Sequence, residues 1–481
     1  MKKSTNLFLK ASLGYTLGNI LIRGISFVTL PIFSRIMSTS DFGVYSAAMS
    51  VASLLCLVMN FAVHVSLPNA NVDFPGKLRE FASSLVLLTI LTALPYVFVS
   101  LIFGSKIGTM IGIMPMLVPL LVVESFGMAL LSIYNSLLAQ EYRYKEYIAI
   151  SFVYTILNAG LSILLILTAY EQQRYMGRFI GGLIAMVLLA AYIIASTFKG
   201  AAPRNNRSNW TYALKISFPI VPHGISQVLI AQFDRIMLLN LISQTAAGIY
   251  SFAFTIASIY QIVFASLETT WTPWFFSKMK SLDLIAIKKR SAVLVIVTMM
   301  ATCAGISIAP EIIAIVGGSS YFAARDTATL LFASMFFSYL YSFPVGIQYY
   351  RKKTVHIAAA TAIVAVVKIA VNYAIIPTFG YFGAAVTTMM MYLLYFIMHY
   401  TISKSSSYGE LFDDRTIFAS ILFVLAWTGL NLLLRNEPIV RILILAVLIA
   451  VCAFVFVRKK EAILEAVFER SSHTNPNELV T

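Results

Sequence analysis

Four polar side chains, His223, Gln227, Asp234 and Arg235, lie inside one apolar stretch running from Leu214 to Ile242. An ionisable group at the centre of a membrane helix costs about 2.5 to 3.5 kcal/mol, so it persists mainly where it faces a polar path or a partner. The same constraint applies to Arg23, Lys368, Glu124 and Glu268, each set in another apolar run. A guanidinium grips phosphate oxygens two at a time, and Arg23, halfway along its run with Asn19 one turn before it, fits an anion-binding group. Lys368 with Asn372 one turn on, and Arg235, are further candidates for that role. Asp234, Glu124 and Glu268 are candidates for carrying a coupling proton or cation. The competing readings are a salt bridge, such as Arg23 with Glu124, and for Arg235 a side chain that snorkels to the interface. Neighbours on a helix point about 100° apart, so Asp234 and Arg235 need not pair with each other.

Uncharged polar residues extend these positions into stripes. Ser12, Thr16, Asn19, Arg23 and Ser26 share one helical face, and Ser46, Ser50, Ser53, Asn60 and His64 repeat the pattern in the next apolar run. Ser251, Thr255, Ser258, Gln261 and Glu268 form a third stripe, and Ser151, Thr155, Asn158 and Ser162 a fourth. Any single serine or threonine is ordinary packing between membrane helices. Four helices carrying stripes, with Arg23 and His64 among them, together with His223, Gln227 and Asp234 of the 214–242 stretch, point instead to a hydrated cleft.

The elements that must hold these residues follow from composition. The chain has 481 residues, 59% hydrophobic and 11% charged, against roughly 25% charged in a soluble domain. It therefore reads as an all-α integral membrane protein. At about 20 residues per span, fourteen transmembrane helices are expected, near 12–35, 43–66, 83–104, 116–138, 148–169, 178–198, 214–241, 248–273, 291–315, 327–349, 355–376, 381–402, 416–434 and 438–457. With the N-terminus in the cytoplasm, 25 of the 35 Lys and Arg residues fall on the inside, seven (Arg178 among them) outside, and three within spans. That bias is what the positive-inside rule requires, and it puts both termini on the cytoplasmic side. The first span lacks a small-residue cleavage pattern and is expected to stay in place.

An internal repeat orders the spans. Ser12, Ile20, Gly43, Tyr45, Ser46, Ala48, Ala52 and Ser53 recur 205 positions on as Ser217, Ile225, Gly248, Tyr250, Ser251, Ala253, Ala257 and Ser258. QEYR at 140–143 and QYYR at 348–351 each close a fourth span. Six spans separate the copies, so the repeats run parallel about an axis along the membrane normal. The expected organisation is an N-lobe over 1–203, a C-lobe over 204–403, and an added helix pair with a tail over 404–481. Pro31, Pro95, Pro219, Pro222 and Pro344 are expected to bend their spans.

Several functions are disfavoured at this level. The net charge of +15 sits in short loops between spans, so nucleic acid is not the expected partner. Cys56, Cys303 and Cys452 stand singly in apolar stretches, against a disulfide framework or metal cluster. No loop carries a P-loop or nucleophile elbow. The NWT sequon at 209–211 falls in an expected cytoplasmic loop.

LPIFSRIMSTSDFGVYS at 30–46, DRIML at 234–238, GIYSFAF at 248–254, WTPWFF at 271–276, SLD at 281–283 and APEIIAIVGGSSYFAA at 309–324 resemble the bacterial polysaccharide flippases of the Wzx type. These belong to the multidrug/oligosaccharidyl-lipid/polysaccharide (MOP) exporter superfamily. The resemblance implies a MATE-like fold of two six-helix lobes working by alternating access in the bacterial cytoplasmic membrane. It implies an undecaprenyl-diphosphate-linked oligosaccharide as cargo, moved from inner to outer leaflet for O-antigen, capsule or exopolysaccharide, alongside a polymerase and chain-length machinery. It further implies that Arg23 meets the diphosphate, that the two last helices form a groove for the lipid tail, and that no cofactor is needed beyond a proton or sodium gradient or the membrane potential. A lipid II flippase and a cation-coupled multidrug extruder are the alternatives on the same fold. A membrane polysaccharide polymerase or ligase is the alternative of another class, for which no external loop is large.

Overall fold

A computed structural model describes Gly18, Gly24, residues 27–405 and residues 411–458. Among the described residues every regular element is helical. In order these are α1 (Phe27–Ile36), α2 (Thr39–Asn60), α3 (Leu67–Asp73), α4 (Leu78–Ile111), α5 (Leu117–Gln140), α6 (Tyr144–Thr168), α7 (Arg174–Gly200), α8 (Asn206–Ser217) and α9 (Val221–Leu241). Then follow α10 (Gln244–Ala257), α11 (Ile259–Ser281), α12 (Leu284–Gly317), α13 (Arg325–Leu340), α14 (Ser342–Tyr350), α15 (Thr354–Lys404), α16 (Asp414–Leu433) and α17 (Pro438–Arg458). Eleven helical segments are long and apolar enough to cross a membrane, with α1 and α17 as shorter apolar helices. Helix α15 has 51 residues with a non-helical Gly380 inside it (φ 56°, ψ −139°). Counted as two, and with the shorter pair added, the described spans match the fourteen expected.

Sequence breaks account for where the spans depart from single rods. The seventh is α8, a 3₁₀ turn at Phe218–Ile220 carrying Pro219, and α9 with Pro222 in its first turn. The tenth breaks at Tyr341, just ahead of Pro344, because proline removes a helix hydrogen bond. The second ends sooner than expected. Phe61 and Ala62 turn left-handed (φ 49° and 52°) after Asn60, and a 3₁₀ turn, Val63–Ser66, follows. His64 therefore leaves the face that Ser46, Ser50 and Ser53 share, which corrects the five-residue stripe expected there.

The chain divides into two compact units. The first takes the described residues up to Ala253 with Ala314–Ala324 and Ala358–Thr387. Its apolar core is built from Leu85, Val86, Leu130, Ile133, Leu138 and Ile193 on α4, α5 and α7. Helix α2 starts with a capping box in which Ser38 and Asp41 satisfy each other's backbone N–H. Asp41 also accepts from Tyr175 N (3.2 Å), and Arg174 Nη1 donates to Ile36 O (2.8 Å), so the α1–α2 turn fixes the start of α7. Within this unit the repeat-matched glycines meet. A Cβ on Gly43 would overlap Gln244 O, and one on Gly248 would overlap Thr39 O. Only glycine allows such close backbone approach.

The second unit takes Phe254–Ile313, Arg325–Ile357 and Thr388 onward. Phe332, Phe336, Phe337 and Phe343 are buried in it. Gln348 of the QYYR motif donates to His399 O (3.1 Å), Ser403 Oγ donates to Pro344 O (2.8 Å), and Trp427 Nε1 donates to Ser307 Oγ (3.0 Å). Arg441, in the first turn of α17 and counted toward the outer side, is buried against Glu311.

Gly43→Ala and Gly248→Ala should each destabilise the fold by about 1–3 kcal/mol or more through overpacking, whereas Gly160→Ala, with open space around it, should not. Thermal unfolding of the detergent-solubilised protein reads this as a fall of several degrees for the first two alone.

Candidate functional site

Three of the residues singled out in the sequence come together. Asp234 on α9 accepts from Lys368 Nζ (2.6 Å) and from Asn372 Nδ2 (2.6 Å), both on α15. Lys368 and Asn372 are four apart and so share a helix face. Tyr250 on α10 donates its hydroxyl to Asp234 (2.7 Å), Lys368 also donates to Ile230 O, and Thr387 Oγ1 reaches Asn372 Oδ1. Fifteen residues of continuous helix would hold Asn372 and Thr387 about 22 Å apart. Their hydrogen bond shows that the chain doubles back at Gly380, bringing Thr387 beside Asn372.

Burial makes this cluster electrically demanding. Asp234 is 0% exposed, Lys368 1% and Asn372 1%. Two isolated charges there would each carry a desolvation cost of several kcal/mol, offset only by a close pair with its remaining hydrogen bonds filled. The ammonium has three donors; the Asp234 carboxylate and the Ile230 carbonyl are two of its acceptors. The carboxylate receives lysine, asparagine and tyrosine. Asp234, expected to carry a coupling ion, thus has an internal cation already in place, and Lys368, expected to meet a diphosphate, spends its charge on Asp234.

The remaining candidates are spread more widely. Arg235 Nη1 donates to Ser50 Oγ (3.4 Å) across from the α2 stripe, and His223 Nδ1 lies 2.9 Å from Thr361 Oγ1 on α15. Gln227 is half-buried on α9. Asn60 is buried, its Nδ2 donating to Ser132 Oγ (3.0 Å) on α5. His64 keeps a buried Nδ1 without a hydrogen-bond partner. Glu124 is buried on α5 with Oε2 unpartnered. Glu268 is half-buried on α11, in the second unit. Asn19 and Arg23 lie outside the described residues. Among the described residues no group of His, Cys, Asp and Glu is gathered to hold a metal ion.

Sequence reasoning passed over Tyr250, Thr387 and Arg178. Tyr250 carried a signal, because the repeat pairs it with Tyr45. Thr387 carried none, since its role depends on the reversal at Gly380. Arg178, counted with the loop residues, is held within α7 by Asn158 and Ser162 of α6.

Residues 8–279 match the family described as "Polysaccharide biosynthesis protein". The chain is 23% identical over 291 residues, 57% of this chain and 68% of the relative, to a protein of the Lsg locus of Haemophilus influenzae. Among solved structures, the lipid II flippase MurJ in an inward closed conformation superposes with a TM-score of 0.71 at 15% identity, over 93% of this chain and 99% of that one. An inward-facing multidrug resistance MATE family transporter of the MOP superfamily gives 0.56 at 12% identity, over 85% and 99%. The MATE transporter VcmN of Vibrio cholerae gives 0.55 at 10%, over 85% and 99%. At these identities the likeness is one of fold, and it is the multi-span helical fold expected from the sequence.

Breaking the buried pair on one side should cost about 3–5 kcal/mol, because it strands the other charge. Asp234→Asn and Lys368→Met alone should each lower yield and unfolding temperature sharply, and the double variant should recover most of the loss. A double variant as unstable as the sum of the singles would show that the two residues do not act as a pair.

Proposed function

The chain belongs to the polysaccharide biosynthesis protein family and is a transporter with the MOP-superfamily fold, and from that premise we propose that it flips undecaprenyl-diphosphate-linked oligosaccharide repeat units from the inner to the outer leaflet of the bacterial cytoplasmic membrane. The match over residues 8–279 is the observation that carries this reading.

The physics of the cargo agrees with it. Each sugar hydroxyl buried without a partner costs several kcal/mol, so an unassisted flip costs on the order of tens of kcal/mol. A protein that offers polar side chains within its spans removes most of that barrier while the lipid tail stays in the bilayer. In this proposal residues 1–203 and 204–403 act as the two alternating lobes, the termini face the cytoplasm, and the final helices with the tail, 404–481, serve the lipid chain. Arg23, with Arg235 and the polar side chains Asn19, Asn60, His223 and Gln227, meets the headgroup and sugars. The drive comes from a proton or sodium gradient or from the membrane potential, which is worth about 2.3 kcal/mol per charge per 100 mV and, inside negative, favours outward movement of an anion. A polymerase and chain-length machinery take the product at the outer face.

In cells lacking their own repeat-unit flippase, expression of this chain should restore surface polysaccharide with drug tolerance and peptidoglycan synthesis unchanged. Drug tolerance without polymer would move the chain to the extruders, and rescue of a lipid II flippase depletion would move it to that branch.

A further inference from the structure

Helices α6 and α7 are pressed together over one half of their length and part over the other. A Cβ at Gly177 would come 2.8 Å from Ile166 N and one at Gly181 2.4 Å from Ser162 N, so glycine lets the two backbones touch there. Beyond Gly182 the α7 sequence has no glycine until Gly200, and the larger Leu188, Leu189 and Tyr192 hold α6 away. The wedge that results is a cavity of about 370 Å³, lined by Ala149, Val153 and Leu157 of α6 and by Ala185 and Leu188 of α7, with Tyr192 at its far end. Its apolar walls open to hydrocarbon, since Val153 is 54% and Leu188 55% exposed.

One end of the wedge is charged. Lys145 precedes Ala149 by four residues and Lys199 follows Tyr192 by seven, so each shares a helix face with the cavity lining. Counted from the contact of Gly181 with Ser162, Lys145 lies 17 residues back along α6 and Lys199 18 residues on along α7. At 1.5 Å per residue the two lysines are therefore level to within about 2 Å. The other charges at this end cancel. Arg79 pairs with Glu141 (2.6 Å), and Arg143 pairs with Glu141 (3.3 Å) and with Glu146. Glu146, the one acid on α6 and α7, also accepts from the hydroxyls of Tyr134 (2.5 Å) and Tyr192 (3.2 Å). Lys145 and Lys199 are exposed, and among the described residues neither pairs with an acid.

Dimensions select the occupant. From Ala149 to Leu157 the lining runs about 12 Å, close to the hydrocarbon depth of one leaflet, about 15 Å. The lysines lie about 6 and 10 Å beyond the lining, in the headgroup zone. We propose that the wedge between α6 and α7 binds a membrane phospholipid with an anionic headgroup, one acyl chain in the cavity and the phosphate on Lys145 and Lys199. The lipid fills the gap that the two spans leave and ties their open ends together. In the orientation proposed above it belongs to the inner leaflet; the site itself requires only that the spans stand in a bilayer.

The test is native mass spectrometry of the full chain in detergent, with phosphatidylglycerol and phosphatidylcholine of matched chains as probes. The wild type should retain phosphatidylglycerol over phosphatidylcholine by about tenfold or more. The double variant Lys145→Gln, Lys199→Gln should bring that ratio close to one at an unchanged unfolding temperature. Ala149→Phe, which fills the cavity and keeps both lysines, should reduce the bound phosphatidylglycerol several-fold. A double variant with the wild-type ratio overturns the proposal, and an Ala149→Phe protein that binds as the wild type does overturns the place of the acyl chain. Should a variant not fold, the wild type decides by peptide mass spectrometry after acetylation. Protection of Lys145 and Lys199 by phosphatidylglycerol and not by phosphatidylcholine supports the site; no protection, or equal protection by both, overturns it. Glycerol phosphate that protects as well as the lipid assigns the lysines to a free anion and overturns it too. None of these readouts uses polymer rescue, so failure of the lipid site and failure of the flippase reading are told apart.

Discussion

Hydrocarbon tolerates charge only when the charge is answered, and the Asp234–Lys368 pair is where this chain meets that demand most fully. Both partners are sequestered from solvent, and each needs the other to be there at all. Much of the local architecture serves this requirement. The reversal at Gly380 brings Thr387 back to orient Asn372, α10 delivers Tyr250, and α9 stays helical through Ile230 so that its carbonyl can help hold the ammonium. A buried ion pair is weak evidence of stability but a strong constraint on register, because sliding α9 against α15 by a single turn would separate the two groups by about 5 Å.

Duplication gave both halves the same frame, and their chemistry has since diverged. Gly43 and Gly248 still meet backbone to backbone, and Tyr45 and Tyr250 still stand at corresponding polar clusters. In the second half the fifth span supplies the cation and a neighbouring helix the anion. In the first the fifth span supplies only neutral acceptors, and the cation comes from the sixth. The same positions thus support a directly bonded ion pair in one case and a cation held by neutral acceptors in the other.

The sequence revealed the spans because a run of about 20 apolar residues has few other fates, and it revealed the repeat because the contact between Gly43 and Gly248 admits no side chain at either position. It marked the breaks near Phe218 and Tyr341 through Pro219, Pro222 and Pro344 but not the one at Phe61, since hydropathy averages over whole turns and is blind to the sign of a backbone angle. Nor could it pair Asp234 with Lys368, 134 residues away; spacing tells which residues share one helix face, whereas the partner across a helix boundary is set by tertiary packing. The partners of Arg178, at the first residue of an expected span, were hidden for a related reason, since Asn158 and Ser162 reach it only through the packing of α6 on α7.

The turn at Gly380 also bears on how the molecule can be handled. Two antiparallel helices usually need a connection of several residues, and such connections are where proteases cut and where tags and inserted domains are accepted. Here the reversal is made at one glycine between helices that continue on both sides, so this edge presents almost no loose backbone. Epitopes, fluorescent reporters and cleavage sites placed there would have to break helical hydrogen bonds to be accommodated.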